Sequence, residues 1–170
     1  MKQYLLFFFI LISCSKSYQT DTPVKDIHDQ LSTDVEITLT EKGNIKALIK
    51  SRLLERNNDN LELRLTDDVN VDLYDDNYEH TSLITSNYAF VSETENRIDA
   101  FGDVVVAADN GQQLWTDSLL WDNKADKIFT DATLTFISGN SDTLYGTGFE
   151  SNIDLTDWKI TKPRGSINNE

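Results

Sequence analysis

An all-β domain of stacked antiparallel strands, a sandwich or jelly roll, is the fold class this sequence predicts, and three observations predict it. Short segments alternate apolar and polar residues with period two, as half-buried strands do. Turn-forming residues separate them at Glu41-Lys42-Gly43-Asn44, Asn57-Asn58-Asp59-Asn60, Asp75-Asp76-Asn77, Asp109-Asn110-Gly111, residues 123–126 and Ser138-Gly139-Asn140, which is the spacing of an all-β fold. The second half also repeats itself loosely. Its leading leucines, Leu83, Leu114 and Leu144, recur with a period of about 30 residues, and fixed-period self-similarity signals stacked units.

The chain opens with Lys2 and an uncharged run, Tyr4-Leu5-Leu6-Phe7-Phe8-Phe9-Ile10-Leu11-Ile12. A basic start and a short apolar run read as a secretion signal. The run falls short of the roughly 20 apolar residues that cross a bilayer. Leu11-Ile12-Ser13-Cys14 resembles a bacterial lipobox, which implies cleavage before Cys14 and lipid on its sulfur. Cys14 is the only cysteine, so the chain can form no internal disulfide. Two or more acyl chains anchor a protein stably. The expected layout is a signal peptide at 1–13, lipidated Cys14 and a tether containing Pro23 at 14–33, a β domain at 34–167 and a tail at 168–170. The expected location is periplasmic, lipid-anchored to the inner membrane, although Ser15 after Cys14 supplies no inner-membrane retention aspartate.

Val35-Glu36-Ile37-Thr38-Leu39 is the first expected strand. Leu61-Glu62-Leu63-Arg64-Leu65 and Val69-Asn70-Val71-Asp72-Leu73 follow as two more. Residues 45–56 carry Ile45, Leu48, Ile49, Arg52 and Leu53 at helical spacing, but Ile45, Ala47 and Ile49 also alternate; the β flanks favour a strand pair. Asn110-Gly111 predicts a tight type I′ hairpin between residues 104–109 and 112–116. Each repeat unit reads as two or three short strands. Stacked units leave two edges, the first carrying Val35, Ile37 and Leu39 and the last, at 158–167, carrying Trp158 and Ile160. Such edges accept a partner's strand. Pro163 with Lys159, Lys162 and Arg164 fits a protected edge equally well.

The formal charge is -14 and no basic patch interrupts it, which excludes a nucleic-acid partner and electrostatic docking on anionic lipid. The two histidines, His28 and His80, have no second His or Cys at metal-ligand spacing. No G-x-S-x-G turn, phosphate loop or dinucleotide fingerprint occurs. Asp67-Asp68, Asp75-Asp76 and Glu79 invite a calcium or glycosidase reading, but adjacent acids on a strand point to opposite faces; solvated turns explain them. No catalytic residue, metal or cofactor is expected.

The aromatic and aliphatic residues carry more information. Tyr88, Phe90, Ile98, Val104, Val106, Leu119, Trp121, Ile128, Leu134, Phe136 and Phe149 read as inward-facing by alternation. Spacing alone fits either a closed core or a groove between splayed sheets.

A set of motifs bears on that choice. Gln113-Leu114-Trp115-Thr116-Asp117 leads to Trp121-Asp122. Lys127-Ile128-Phe129-Thr130-Asp131 and Gly146-Thr147-Gly148-Phe149-Glu150-Ser151-Asn152 follow, with Ala100-Phe101-Gly102-Asp103-Val104 upstream. Together these resemble the LptC family, over about residues 34–167. The resemblance implies an OstA/LptA-like V-shaped β-jelly roll that joins an LptB/LptF/LptG-type inner-membrane ABC transporter at one edge and an LptA-type periplasmic bridge protein at the other. Lipopolysaccharide then moves through an apolar groove between the sheets. That expectation makes the listed residues lipid-groove candidates. The rivals are a non-carrying scaffold lipoprotein that joins partners by edge strands and a glycan hydrolase built on the acid clusters.

Overall fold

The computed structural model describes residues 30–57, 62–92 and 94–165. Cys14, His28, the signal and most of the tether lie outside the described residues, as does Ile167. Nine antiparallel strands form one unclosed sheet in plain meander order: β1 (Gln30–Glu41), β2 (Asn44–Asn57), β3 (Glu62–Tyr74), β4 (His80–Ser92), β5 (Arg97–Ala108), β6 (Gln113–Asp122), β7 (Lys127–Ile137), β8 (Thr143–Asn152) and β9 (Trp158–Arg164). No helix occurs among the described residues. β1 and β9 are the free edges.

The strands are longer than alternation suggests because each runs through an irregularity that breaks the period. Register shifts fall between Lys50 and Leu53, Thr66 and Val69, Thr85 and Tyr88, Phe101 and Val104, Thr116 and Leu120, and Thr130 and Thr133. These bulges lie side by side, for Leu53 pairs Thr66, Thr66 pairs Tyr88, Tyr88 pairs Phe101 and Phe101 pairs Ser118. A bulge bends its strand and sharpens its twist. A row of them bends the whole sheet along one line. Left-handed backbone marks that line at Asp67 (φ 64°), Asp68 (φ 53°), Gly102 (φ 75°), Asp103 (φ 48°) and Gly148 (φ 79°).

The bend folds the sheet on itself. Phe149 pairs with Thr130, and Phe136 lies six residues further along β7, about 20 Å away on a straight strand. Yet the rings of Phe136 and Phe149 are 5.2 Å apart, and that of Trp158 is 4.9 Å from Phe136. One face of both halves therefore packs into a single core, giving a jelly-roll-like fold. Backbone groups released at the bulges are met by buried hydroxyls. Ser51 Oγ donates to Thr66 O at 2.7 Å, Thr116 Oγ1 donates to Thr133 O at 3.0 Å, and Thr130 Oγ1 accepts Ala132 N–H at 3.0 Å.

Four expectations change. Residues 45–56 are one bulged strand, not a pair. Its inward set runs Ala47, Ile49 and Ser51 and then skips to Leu54, so of the residues at helical spacing only Ile49 is buried. The expected strands at 61–65 and 69–73 are, over the described residues 62–73, one strand running through Asp67 and Asp68, which sit in a strand bulge rather than a turn. β1 begins at Gln30, ahead of the expected boundary at 34, because pairing resumes beyond Asp34 (φ 51°) from Thr33 opposite Leu53 to Gln30 opposite Arg56. The Asn110-Gly111 turn places only Gly111 (φ 88°) in the left-handed region, with Gly111 N–H donating to Ala108 O at 2.9 Å. That is a type I turn followed by a left-handed glycine, not type I′. The Asn110 side chain instead accepts from Gln112 N and donates to Asp154 O.

Candidate functional site

Nine of the eleven candidate residues lie in the interior. Ile98, Val104, Val106, Leu119, Trp121, Ile128, Leu134, Phe136 and Phe149 are each no more than 5% exposed. Tyr88 and Phe90 are not among them. They lie on the outer face, where Tyr88 stacks on Phe101 with centroids 5.3 Å apart and Phe90 meets the same ring edge-on at 6.0 Å. The cause is the bulge at 86–87. Ile84 faces inward before it and Ala89 and Val91 face inward after it, so the parity of the strand inverts. The interior also takes in Leu65, Val69, Val71 and Leu73, the apolar positions of alternating stretches outside the candidate set, and Ile84, Leu114, Ile153 and Leu155.

At the two edges the apolar face is only half covered. Val35, Ile37 and Leu39 on β1, and Trp158 and Ile160 on β9, pack against the core from one side. The glycines of the G-x-G segment bring β9 in. A Cβ at Gly146 would overlap Ile160 Cγ2 and come within 3.0 Å of Lys162 O. On the outer face of β9, Lys159, Lys162 and Arg164 stand exposed, opposite Glu150, Thr147 and Tyr145.

The motif residues gather on the bend. Thr116-Asp117 and Thr130-Asp131 occupy the bulges of β6 and β7, Gly102-Asp103 that of β5, and Thr116 Oγ1 lies 3.2 Å from Thr130 Oγ1. Their shared property is the sharp bend, not a reactive group.

Among the described residues the titratable side chains pair with one another rather than converge on one site. His80 lies with Nε2 3.3 Å from Asp72 and Nδ1 2.9 Å from Asp109, so both ring nitrogens face carboxylates and neither faces a hydroxyl. Asp68 pairs with Arg52 at the bend, and Asp76 takes buried Lys46 at 2.5 Å in the β3–β4 turn. The hydrogen bond to Asp76 holds the Lys46 ammonium above its ordinary pKa against the opposing effect of burial. Asp75 is held below the usual carboxylate range by the backbone N–H of Glu79 and by Asn77. Asp126 is pushed up by burial, with Lys46 opposing. Asp75 and Asp76 thus brace the β3–β4 turn, and Asp68 the bulge of β3. Among the described residues no group of three His, Cys, Asp or Glu side chains could hold a metal ion, and no helix is long and apolar enough to cross a membrane.

What the geometry presents is a folded sheet with one apolar interior that reaches two half-covered edges. No curated protein matches the sequence. A family described as lipopolysaccharide-assembly, LptC-related, matches residues 4–162, nearly the whole chain and all the elements above except the last residues of β9. The chain belongs to the LptC-related family of lipopolysaccharide-assembly proteins.

Proposed function

We propose that this protein is a non-enzymatic carrier in lipopolysaccharide transport, held in the periplasm at the inner membrane through lipid on Cys14. It receives the lipid from an LptB/LptF/LptG-type ABC transporter and passes it to an LptA-type bridge. The observation that carries this reading is the continuous apolar interior, half covered at β1 and β9, in a chain of this family. An acyl chain left in water costs about 0.8 kcal/mol for each CH₂. A continuous apolar path removes most of that barrier with no chemistry, and transfer between like interiors is close to neutral. Direction then comes from ATP hydrolysis in the transporter.

The test is a photoreactive residue at Phe136 or Trp121, on the inner face, with Phe90 as the outer-face control. Irradiated cells should yield a lipopolysaccharide adduct from the inner positions and none from Phe90. Adducts at Phe90 alone, or at none of the three in folded protein, would remove the carrier reading.

One observation favours a second reading. Nine candidate residues are almost fully buried by the protein's own side chains, as in a scaffold with a dry core. Such a scaffold would bind partners through β1 and β9 and give no adduct at Phe136.

A further inference from the structure

We infer that the β8–β9 turn is a clasp that closes the open side of the folded sheet and must swing away for an acyl chain to enter. This inference rests on the carrier reading. Opposite the bend, the turns of the two half-sheets come together, and residues 153–157 lie across them. Ser82 Oγ, at the start of β4, donates to Ile153 O at 2.7 Å, and this bond is buried. Asn110 Nδ2, from the β5–β6 turn, donates to Asp154 O at 2.6 Å. Both donors belong to one half-sheet, whereas the turn they hold belongs to the other.

The turn also fills the interior. Ile153 is 4% exposed and Leu155 is 0% exposed, so two aliphatic side chains from a loop occupy space that no strand residue fills. Leu155 holds this place with φ at 61°. Left-handed backbone is costly for a leucine and persists only where its surroundings enforce it. The enforcement is local. Leu155 N–H donates to Asn152 O, Asp157 N–H donates to Asn152 Oδ1, and Thr156 donates both its N–H and its hydroxyl to Asp154 Oδ1. The turn is therefore a compact unit that can move without unpairing β8 from β7.

A second observation marks the closed form as incomplete. At the end of β6, with β7 between it and β8, the indole Nε1 of Trp121 is buried without a hydrogen-bond partner, as is the Oδ1 of Asn123 in the following turn. A buried orphan donor is disfavoured unless something else satisfies it. The carbonyl oxygen of an acyl ester or amide suits the Trp121 N–H. Displacing Leu155 would admit the chain, and Trp121 would take its carbonyl.

The test compares full-length protein with its Leu155→Gly variant, titrating each with a fluorescent long-chain fatty acid. Glycine relieves the left-handed strain and empties the space. If the clasp limits binding, apparent affinity rises about tenfold, because a larger fraction of the protein is then open to ligand. Leu65→Ala, which empties core between Leu54 and Ala89 on β2–β4, should give no such gain. Should Leu155→Gly fail to fold, Asn110→Asp keeps the acceptor for Gln112 N–H, removes the donor to Asp154 O and should still raise affinity several-fold. Unchanged or weaker binding by a folded variant overturns the clasp while leaving the carrier reading intact, provided Phe136 still crosslinks to lipopolysaccharide. No probe binding by any form, with no adduct at Phe136, overturns both.

Discussion

Phe136→Ala tests whether the two half-sheets truly close on each other. The ring is 0% exposed and meets Phe149 and Trp158, residues that belong to the far side of the bend. Removing a fully buried phenylalanine costs about 3–5 kcal/mol, the lost burial adding to the cavity left behind. The cavity here is walled by two rings anchored on other strands, so collapse into it is hindered and the upper part of that range applies. A urea slope of about 2 kcal/mol per molar turns a loss of about 4–5 kcal/mol into a midpoint shift of about 2–2.5 M. Tyr88→Ala is the control, because it removes a ring of similar size from the outer face. Tyr88 is 36% exposed and keeps one stacking partner, Phe101, so its loss should cost about 1–2 kcal/mol. Equilibrium urea unfolding of the two variants beside the parent measures both. If Phe136→Ala costs no more than Tyr88→Ala, the halves are splayed and the packed interior derived above is wrong.

Further expectations follow from the bend, the last strand and the acidic turns. Gly146→Ala pushes a methyl into Ile160 and towards Lys162 O, so it should cost about 1–3 kcal/mol and speed amide exchange in β9 while leaving β3 protected. Thr130→Val keeps the shape but strands the Ala132 N–H, and should cost about 1–3 kcal/mol by urea unfolding despite being isosteric. The Asp75 and Glu150 carboxyls are held below their ordinary values of 3.8 and 4.5, the first by backbone N–H groups and the second by Lys127. Their stabilisation is complete above those values and is lost as pH falls through the lowered folded-state pKa values, so thermal midpoints should drop on that acid limb. Asp126 runs the other way. Its carboxyl is raised above 3.8, so its ionised form weighs on the folded state at neutral pH and is relieved as pH falls towards 3.8. Asp126→Asn should therefore raise the thermal midpoint at pH 7, and a lower midpoint would show that its attraction to Lys46 outweighs its burial.

Alternation and turn chemistry made the strands and turns legible, and the bulges hid how they combine. Period-two reading assumes that parity persists along a strand, and a single extra residue inverts it. That is why Tyr88 and Phe90 were read as inward, and why 61–65 and 69–73 looked like separate strands. Ile98, Trp121, Ile128 and Phe136 are buried, and each belongs to an uninterrupted stretch on its own side of a bulge, where parity persists. A signal for the bend was nonetheless present. Thr33-Asp34, Thr66-Asp67, Thr116-Asp117 and Thr130-Asp131 recur at mid-strand, where a hydroxyl can serve a freed backbone group and an aspartate tolerates left-handed backbone. Leu155 had no such signal. Nothing in Asp154-Leu155-Thr156 distinguishes a leucine turned into the core from one left in solvent. Its burial depends on Ser82 and Asn110, more than 40 residues away in sequence. Local hydrogen bonds shape the turn that carries Leu155, but its two ties to the other half-sheet come from Ser82 and Asn110, and cutting them would leave the turn's own bonds intact. Phe136, by contrast, is fixed by its own strand ladder.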